Sequence, residues 1–462
     1  MTNAYRQHLA SYLERQRWFS GKGRDFAVTH IHAMPWLSEA DPRLRIEVVT
    51  VTYSDGTTDS YQFPTAYLDV ADPDLAHALV GECEHPELGK VAAYDACFLK
   101  PAAEVLFTGF LQPGGSGLPD FHVVENAVLP TEALPGFVMT AEQSNTSIAY
   151  GDEAILKLFR RLSAGGNPDI EIHNALTLHG EEHIAPLLGW VEGRWSDAHG
   201  GTHHGDLAML QVFLRTATDG WDLALASVRD LLVEEDLHPA EVGGDFAGEA
   251  SRLGEATAAV HADLATVFPA MTATPTELAE TSASMHARLD HAVTVVPELE
   301  AHREALAARF DAITRLGEPV HMQRVHGDFH LGQTLRTVKG WKLIDFEGEP
   351  AKPLHERARA DSPLRDVAGM LRSFDYAAGA TLHQFGDTVH LAYRAHEWTQ
   401  RNRAAFLDGY STAGGTDVSQ HQVLLSAYEA DKAVYEAVYE ARNRPAWLEI
   451  PLQAIERLTA EE

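Results

Sequence analysis

Cysteine is scarce in this chain. Cys83 and Cys97 are the two it has in 462 residues, too few for a disulfide framework or a cysteine-built zinc site, and the scarcity fits a reducing cytoplasm. Basic residues are also short. Lys and Arg number 36 against 67 Asp and Glu, a formal net charge of -31, which argues against a nonspecific grip on nucleic acid or on an anionic membrane surface. Long apolar runs are missing too. The opening MTNAYRQHLASYLERQRWF has no signal-like apolar core, and no later stretch reaches the roughly 18 uninterrupted apolar residues of a membrane span. No tandem repeat or long low-complexity linker stands out. What remains is 45% hydrophobic and 22% charged, ordinary globular composition with length enough for two or three domains.

Along that length the texture changes. After a short polar helix, RIEVVTVTYSDGTTDSYQF carries two β-rich runs joined at Ser54-Asp55-Gly56, whose glycine supplies the positive φ of a tight hairpin. Short strand-like runs continue from about Val105 to Leu214, among them AILKLF and LAMLQVFLR. They are interrupted by NPDIEIHNALTLHG, a helix that marks its own start. Asn167 can cap it, Pro168 suits the first turn, and Asp169 favours the positive end of the dipole. After Gly220, Ala-rich segments such as LGEATAAVHADLATVF put Leu253, Ala256, Val260 and Leu264 at helical spacing. A β-rich first half and a helical second half, with one strand pair embedded in the latter, predict an α+β protein.

The chemistry concentrates in VHGDFHLGQTLRTVKGWKLIDFEGEP. If HGDFH is a strand, His326, Asp328 and His330 face one way and form a ligand set for a metal-dependent hydrolase. If it is a loop, the interval from Asp328 to Gln333 equals that between base and metal ligand in the kinase pattern H-R-D-x-x-x-x-N. The following run GWKLIDFEGE then ends in Asp345-Phe346, where a kinase holds its divalent cation. Such chemistry needs a strand lysine oriented by a helix carboxylate. EAILKLF offers Lys157, and Glu171 lies one turn into the capped helix. Before the lysine, EQSNTSIAYGD lacks a glycine-rich signature, but Ser144, Asn145, Thr146 and Ser147 supply donors for phosphate oxygens. The hydrolase reading leaves Lys157, Glu171 and Asp345 without a task, and an inactive pseudokinase is expected to lack one of them.

Other segments carry two readings each. His326 suits bracing of the loop, and His330 either support or sugar contact. DAHGGTHHGD, with His199, His203 and His204, reads as a glycine-rich hairpin tip rather than a metal site. In DKAVYEAVYEARNRP, Lys432, Glu436, Tyr439 and Arg442 recur on one side of a helix. That face is either solvated or an acceptor site, its tyrosines and Arg-Asn-Arg-Pro ending being suited to a sugar.

HGDFH, IDFE and LGEATAAVHADL resemble the aminoglycoside phosphotransferase and choline kinase superfamily, whose fold is protein kinase-like. QRWFSGKGR, ILKLFRRLSAGGNPDIEI, DSPLRDVAGMLRSFDYAA and AYEADKAVYEAVYEARNRPAWLEIPL narrow the resemblance to actinobacterial maltokinases. That resemblance implies a bilobal fold with an N-terminal antiparallel β cap domain at 1–100, a β-rich nucleotide lobe at 101–216 and a helical C-terminal lobe at 217–462. It implies ATP and Mg²⁺ as cofactors, and transfer of the γ-phosphate to the anomeric hydroxyl of maltose, giving maltose 1-phosphate for α-glucan synthesis. Glucosamine and aminoglycosides are the alternative acceptors within the superfamily. Carried over by position, Asp328 is the catalytic base, Gln333 and Asp345 are metal ligands, and Lys157, held by Glu171, contacts phosphate. Backbone groups of Gln211 and Phe213 face adenine. An association with trehalose synthase, which supplies maltose, is also implied. Gln333 and Glu347 depart from the Asn and Gly of protein kinases.

Overall fold

The computed structural model describes residues 2–113, 119–139, 144–234, 237–349, 352–386 and 388–460. The chain divides into two units, Met1–Leu178 with Ala185–Arg215, and His179–Ile184 with Thr216–Glu462. Sheets dominate the first and helices the second, the α+β class expected.

The first unit opens with helix α1 (Asn3–Arg15), capped by the Thr2 hydroxyl, which accepts the Tyr5 N–H. Strands β1 (Phe26–Ser38), β2 (Arg43–Tyr53), β3 (Thr58–Leu68), β4 (Leu79–His85) and β5 (Gly89–Asp95) form an antiparallel sheet in the order β1-β2-β3-β5-β4. The β2–β3 turn falls at Ser54-Asp55-Gly56 as read from the sequence. Gly56 takes φ +83°, and Asp55 accepts the Thr57 N–H at 2.9 Å. Alternation along β2 sends Val49 and Val51 to a core shared with α1, and Ile46 and Val48 to the opposite face.

Helix α2 (Lys100–Leu111) leads to a second sheet. Its strands are β6 (Asp120–Val123), β7 (Gly136–Val138), β8 (Thr146–Tyr150) and β9 (Ala154–Leu158), with β11 (Leu187–Ser196) and β12 (Thr202–Val212) added after β10 (Arg161–Leu162) and helix α3 (Pro168–His179). The order is β6-β11-β12-β9-β8-β7. β10 departs from it and pairs with β3 of the first sheet, Arg161 opposite Tyr61. The two sheets share one core, in which Ile46, Val48 and Tyr94 pack with Phe107, Leu156, Leu158 and Leu210.

In the second unit, the helices Ala247–Val267 and Val389–Thr412 touch through their backbones. A Cβ on Gly254 would lie 2.2 Å from the Phe406 carbonyl oxygen, so only glycine permits the contact. The expected embedded strand pair is Thr334–Thr337 against Gly340–Leu343, with Thr334 opposite Leu343. Among the described residues, no helix is long and apolar enough to cross a membrane.

Candidate active site

In the first unit, β9 presents Lys157 between Ser147 of β8 and Met209 of β12. Lys157 and Ser147 stand directly opposite, so their side chains share a face of the sheet. The Lys157 Nζ lies 3.1 Å from Asp169 Oδ2 in a buried ion pair. Burial pushes the Asp169 carboxyl up, but the Lys157 ammonium and His173 outweigh it and hold the group well below the usual carboxylate range. Asp169 is a partner the sequence reading did not give Lys157; Glu171, the carboxylate it did give, lies exposed on α3. Asn167 does cap α3, accepting the Asp169 N–H at 2.9 Å. Asp169, in the first turn behind that cap, reaches the strand through its carboxylate.

The four candidates of the phosphate hairpin separate. Ser144 is exposed and Asn145 half-buried, while Thr146 and Ser147 are buried. Thr146 faces away from Lys157 and its hydroxyl accepts from Arg160 Nε at 2.7 Å, so it belongs to the interior and not to the face that carries Lys157. Glu142 and Gln143 of the same stretch lie outside the described residues. At the end of β12, Gln211 stands inside the sheet, opposite Ile155 on one side and Leu187 on the other. The Phe213 N–H donates to the Glu153 carbonyl at 3.1 Å. Of the backbone groups expected to face adenine, the Phe213 N–H is therefore engaged within the lobe, one residue past the end of β12.

In the second unit, His326 to His330 form a loop. Asp366, at the start of helix Leu364–Phe385, accepts the His326 N–H at 2.7 Å, the Gly327 N–H at 2.8 Å and His261 Nε2 at 3.2 Å. The His326 ring donates from Nε2 to the Ile344 carbonyl at 2.8 Å, which ties the loop to the segment between the strand Gly340–Leu343 and Asp345. His330 uses Nδ1 to accept the Gly332 N–H at 3.1 Å. Its burial pushes the imidazole down to about 4, so it is a neutral loop cap at ordinary pH. Each bond brings one ring nitrogen to backbone, and among the described residues His326, Asp328 and His330 do not gather as a metal-holding group of the kind the hydrolase reading needs.

Asp328 meets Lys432, with Nζ 3.0 Å from Oδ1. Burial raises the Asp328 carboxyl, and Lys432, then His330, outweigh it and hold it below its ordinary value. Gln333 closes the turn after His330, and its carbonyl accepts the Ile344 N–H at 3.1 Å. Asp345 follows at φ 62°, a left-handed conformation that costs a non-glycine residue stability and collects at functional sites. Asp345 and Glu347 each offer a carboxylate oxygen, within 4.8 Å of one another. Asp345 and Glu347 thus pair two carboxylate oxygens, donors of the kind a hard divalent cation such as Mg²⁺ prefers.

Of the acceptor face read on helix Gln422–Asn443, only Lys432 borders the Asp328 pocket. Its other lining residues include Arg288, Glu349, Tyr428, Asp431 and Tyr435. A cavity of about 520 Å³ adjoins it, sharing Gly327, Arg365 and Tyr428. Glu436 instead accepts from Arg372 Nε at 2.9 Å in a buried pair, Tyr439 is exposed, and Arg442 Nη2 lies 3.0 Å from His291 Nε2. The period of the helix identified the element, but the pocket sits on the preceding turn. Tyr439 is about 10 Å farther along the axis than Lys432 at 1.5 Å per residue. The pocket charges are paired: Arg288 with Asp431 at 2.7 Å, and Arg365 with Glu349 at 2.7 Å. Asp366 was missed in the sequence, although an aspartate inside the apolar run LRDVAGML is a visible signal of a buried anchor.

Sequence comparison fixes the class. The chain belongs to the phosphotransferase enzyme family, which matches residues 153–422. Ahead of that stretch, residues 12–98 match the maltokinase N-terminal cap domain. A glucosamine kinase of Streptacidiphilus jiangxiensis is 31% identical over 332 residues, 67% of this chain and 70% of that protein. One of Mycolicibacterium smegmatis is 28% identical over 336 residues, 70% of this chain and 79% of that protein. Solved structures agree in fold. A glucosamine kinase in complex with glucosamine, ADP and inorganic phosphate gives a TM-score of 0.67 at 22% identity, covering 99% of this chain and 100% of that one. A crystal form of glucosamine kinase gives 0.69 at 22% identity, covering 100% and 98%.

Proposed function

We propose that this chain is an ATP-dependent sugar kinase that phosphorylates maltose at its anomeric hydroxyl, in the cytoplasm, supplying maltose 1-phosphate for α-glucan synthesis. Asp328 accepts the proton of the attacking hydroxyl as general base. Lys157, oriented by Asp169, contacts phosphate oxygens, with Ser144, Asn145 and Ser147 as neighbouring donors. Gln333, Asp345 and Glu347 would hold Mg²⁺, which when bound neutralises charge on the phosphates. His330 keeps the base loop in shape from behind.

The observation that carries the acceptor reading is the Lys432 ammonium 3.0 Å from the base. A cation already at Asp328 disfavours an amino sugar that brings a second one, and favours a neutral polyol. The paired charges of the pocket support the same choice, since they offer fixed donors and acceptors without an excess of acid. Tyr435, beside Lys432, provides an apolar surface for a pyranose ring. Glucosamine is the second reading, favoured by the names of the relatives and by Asp431 and Glu349 in the lining. Association with trehalose synthase is proposed on resemblance alone, as a source of maltose. An ATP-consumption screen across maltose, glucose, glucosamine, trehalose and kanamycin tests the reading. Maltose is expected to give the highest kcat/KM, and a preference for glucosamine would replace it with the second reading.

A further inference from the structure

Lys432 and Glu436 stand four residues apart on helix Gln422–Asn443, so their side chains are neighbours on one stripe. The Lys432 ammonium feels two carboxylates. Burial pulls it down, and Asp328, then Glu436, outweigh burial and hold it above its ordinary value. Its hydrogen bond goes to Asp328 Oδ1, at 3.0 Å. Glu436 is engaged from its other side by Arg372 of helix Leu364–Phe385, a fully buried guanidinium. Arg372 brings Nε to 2.9 Å and Nη2 to 2.8 Å of one oxygen, Oε2. Both contacts fall on Oε2, which leaves Oε1 to another donor. Burial pushes the Glu436 carboxyl up, and Arg372 and Lys432 only partly offset it, so this carboxylate would be stabilised by closer approach of a second cation.

One helix holds both carboxylates in place. Leu364–Phe385 binds the base loop through Asp366, which accepts the His326 and Gly327 N–H groups, and through the Ser373 hydroxyl, which accepts the Leu331 N–H at 3.0 Å. It binds Glu436 through Arg372. Arg372 is fixed in turn by Asp375, which also accepts from Arg457 Nη2 at 2.8 Å. One turn farther along, the Tyr376 hydroxyl donates to Glu440 Oε1 at 3.1 Å and sets the register of the two helices. Asp328 and Glu436 are therefore two anchored anions, and what can move between them is the flexible four-carbon stem of Lys432. An ammonium displaced from Asp328 without a second partner would be left as an unpaired charge in a half-buried place, which is strongly unfavourable.

We propose that Glu436 is a positioning residue that receives the Lys432 ammonium when an acceptor hydroxyl takes its place at Asp328, so that acceptor binding depends on a carboxylate that touches no sugar. The inference rests on the reading of Asp328 as the base. The ammonium moves about one helical turn toward Glu436, and the net charge around the pocket is the same before and after. Asp328 is thus paired while the pocket is empty, and is freed of its counterion by the hydroxyl it must deprotonate. Arg372 acts one step farther back, keeping Glu436 ionised in the interior.

The test is a double-mutant cycle on maltose binding and turnover, with Glu436→Gln, Lys432→Met and the two combined, and thermal unfolding beside it. Glu436→Gln is expected to weaken maltose affinity in calorimetry and to raise maltose KM, each about tenfold, with the KM for ATP within about twofold of wild type. In the Lys432→Met background there is no ammonium to receive, and the same substitution is expected to change maltose affinity less than about twofold. Glu436→Asp keeps a charge for Arg372 on a stem one methylene shorter, and its cycle decides the matter if Glu436→Gln fails to fold. It is expected to weaken maltose about threefold alone and less than about twofold beside Lys432→Met. Equal losses in the two backgrounds, or a lower melting temperature with unchanged maltose affinity, assign Glu436 a structural role alone and overturn the proposal. If the wild type takes glucosamine instead, the cycle is run on glucosamine with the same expectations. A wild type that phosphorylates neither sugar overturns the sugar-kinase reading and the role of Glu436 together.

Discussion

Two lysine–aspartate pairs of nearly equal length have different surroundings, and in the proposed reaction one serves the phosphate and the other the acceptor. Lys157–Asp169 spans 3.1 Å with side chains 8% and 1% exposed, and Lys432–Asp328 spans 3.0 Å with side chains 28% and 22% exposed. The first is sealed, so its carboxylate serves to aim one ammonium. The second borders a pocket, and in the proposed reaction an acceptor hydroxyl displaces the ammonium from the carboxylate. Burial, not distance, separates a permanent pair from an exchangeable one.

The comparison is open to attack in four places. The largest effect is expected at Asp328→Asn, which removes the base and should lower kcat about 10² to 10⁴-fold. Mg²⁺-ATP affinity should stay close to wild type, and a kcat above a third of wild type would move the base elsewhere. Next come the two pairs themselves. Asp169→Asn takes the charge from beside a buried ammonium and should cost on the order of 3 kcal/mol of stability, read by urea unfolding. Lys432→Met should cost about 1 kcal/mol or less, while the acid limb of the kcat profile shifts to higher pH as Asp328 loses its cation. Equal stability losses in the two variants would erase the distinction.

A smaller effect belongs to His330. The imidazole sits at about 4 in the folded chain and at about 6.5 in an unfolded one. Between these values the unfolded state binds the extra proton, so the contribution to stability is complete above about pH 6.5 and is lost as the pH falls to about 4. His330→Asn keeps an acceptor for the Gly332 N–H and removes the titration, and the stability lost over that interval should shrink. The smallest effect concerns Tyr439. Its exposure, outside the Asp328 pocket, predicts that Tyr439→Ala changes acceptor KM less than about threefold, whereas Tyr435→Ala raises it about tenfold, or 1.4 kcal/mol. The reverse order in steady-state kinetics would restore the face first read from the helix.

What could be read from the sequence was local. The β2–β3 turn, the Asn167 cap and the HGDFH loop each depend on residues within a few positions of one another, and those patterns survive without a fold. The Lys157–Asp169 pair was not read, because Asp169 already had a local explanation as a first-turn carboxylate behind the Asn167 cap. On Gln422–Asn443 the helical repeat gave a face but not a height, since Lys432 and Glu436 fit one stripe equally well and only packing tells pocket from interior. The Asp95–Arg160 pair, 65 residues apart, left no local trace at all.

The strand β10 carries a last consequence for folding. By pairing with β3 while its neighbours stay in the other sheet, it stitches two segments that sequence families treat as separate modules into one cooperative block. Their common apolar core gives neither part a boundary at which to melt alone. Native-state hydrogen exchange should therefore find β3 and β9 opening together, with one shared free energy, and excision near residue 100 should leave the remainder with a stranded arginine and an unzipped edge rather than a smaller working enzyme.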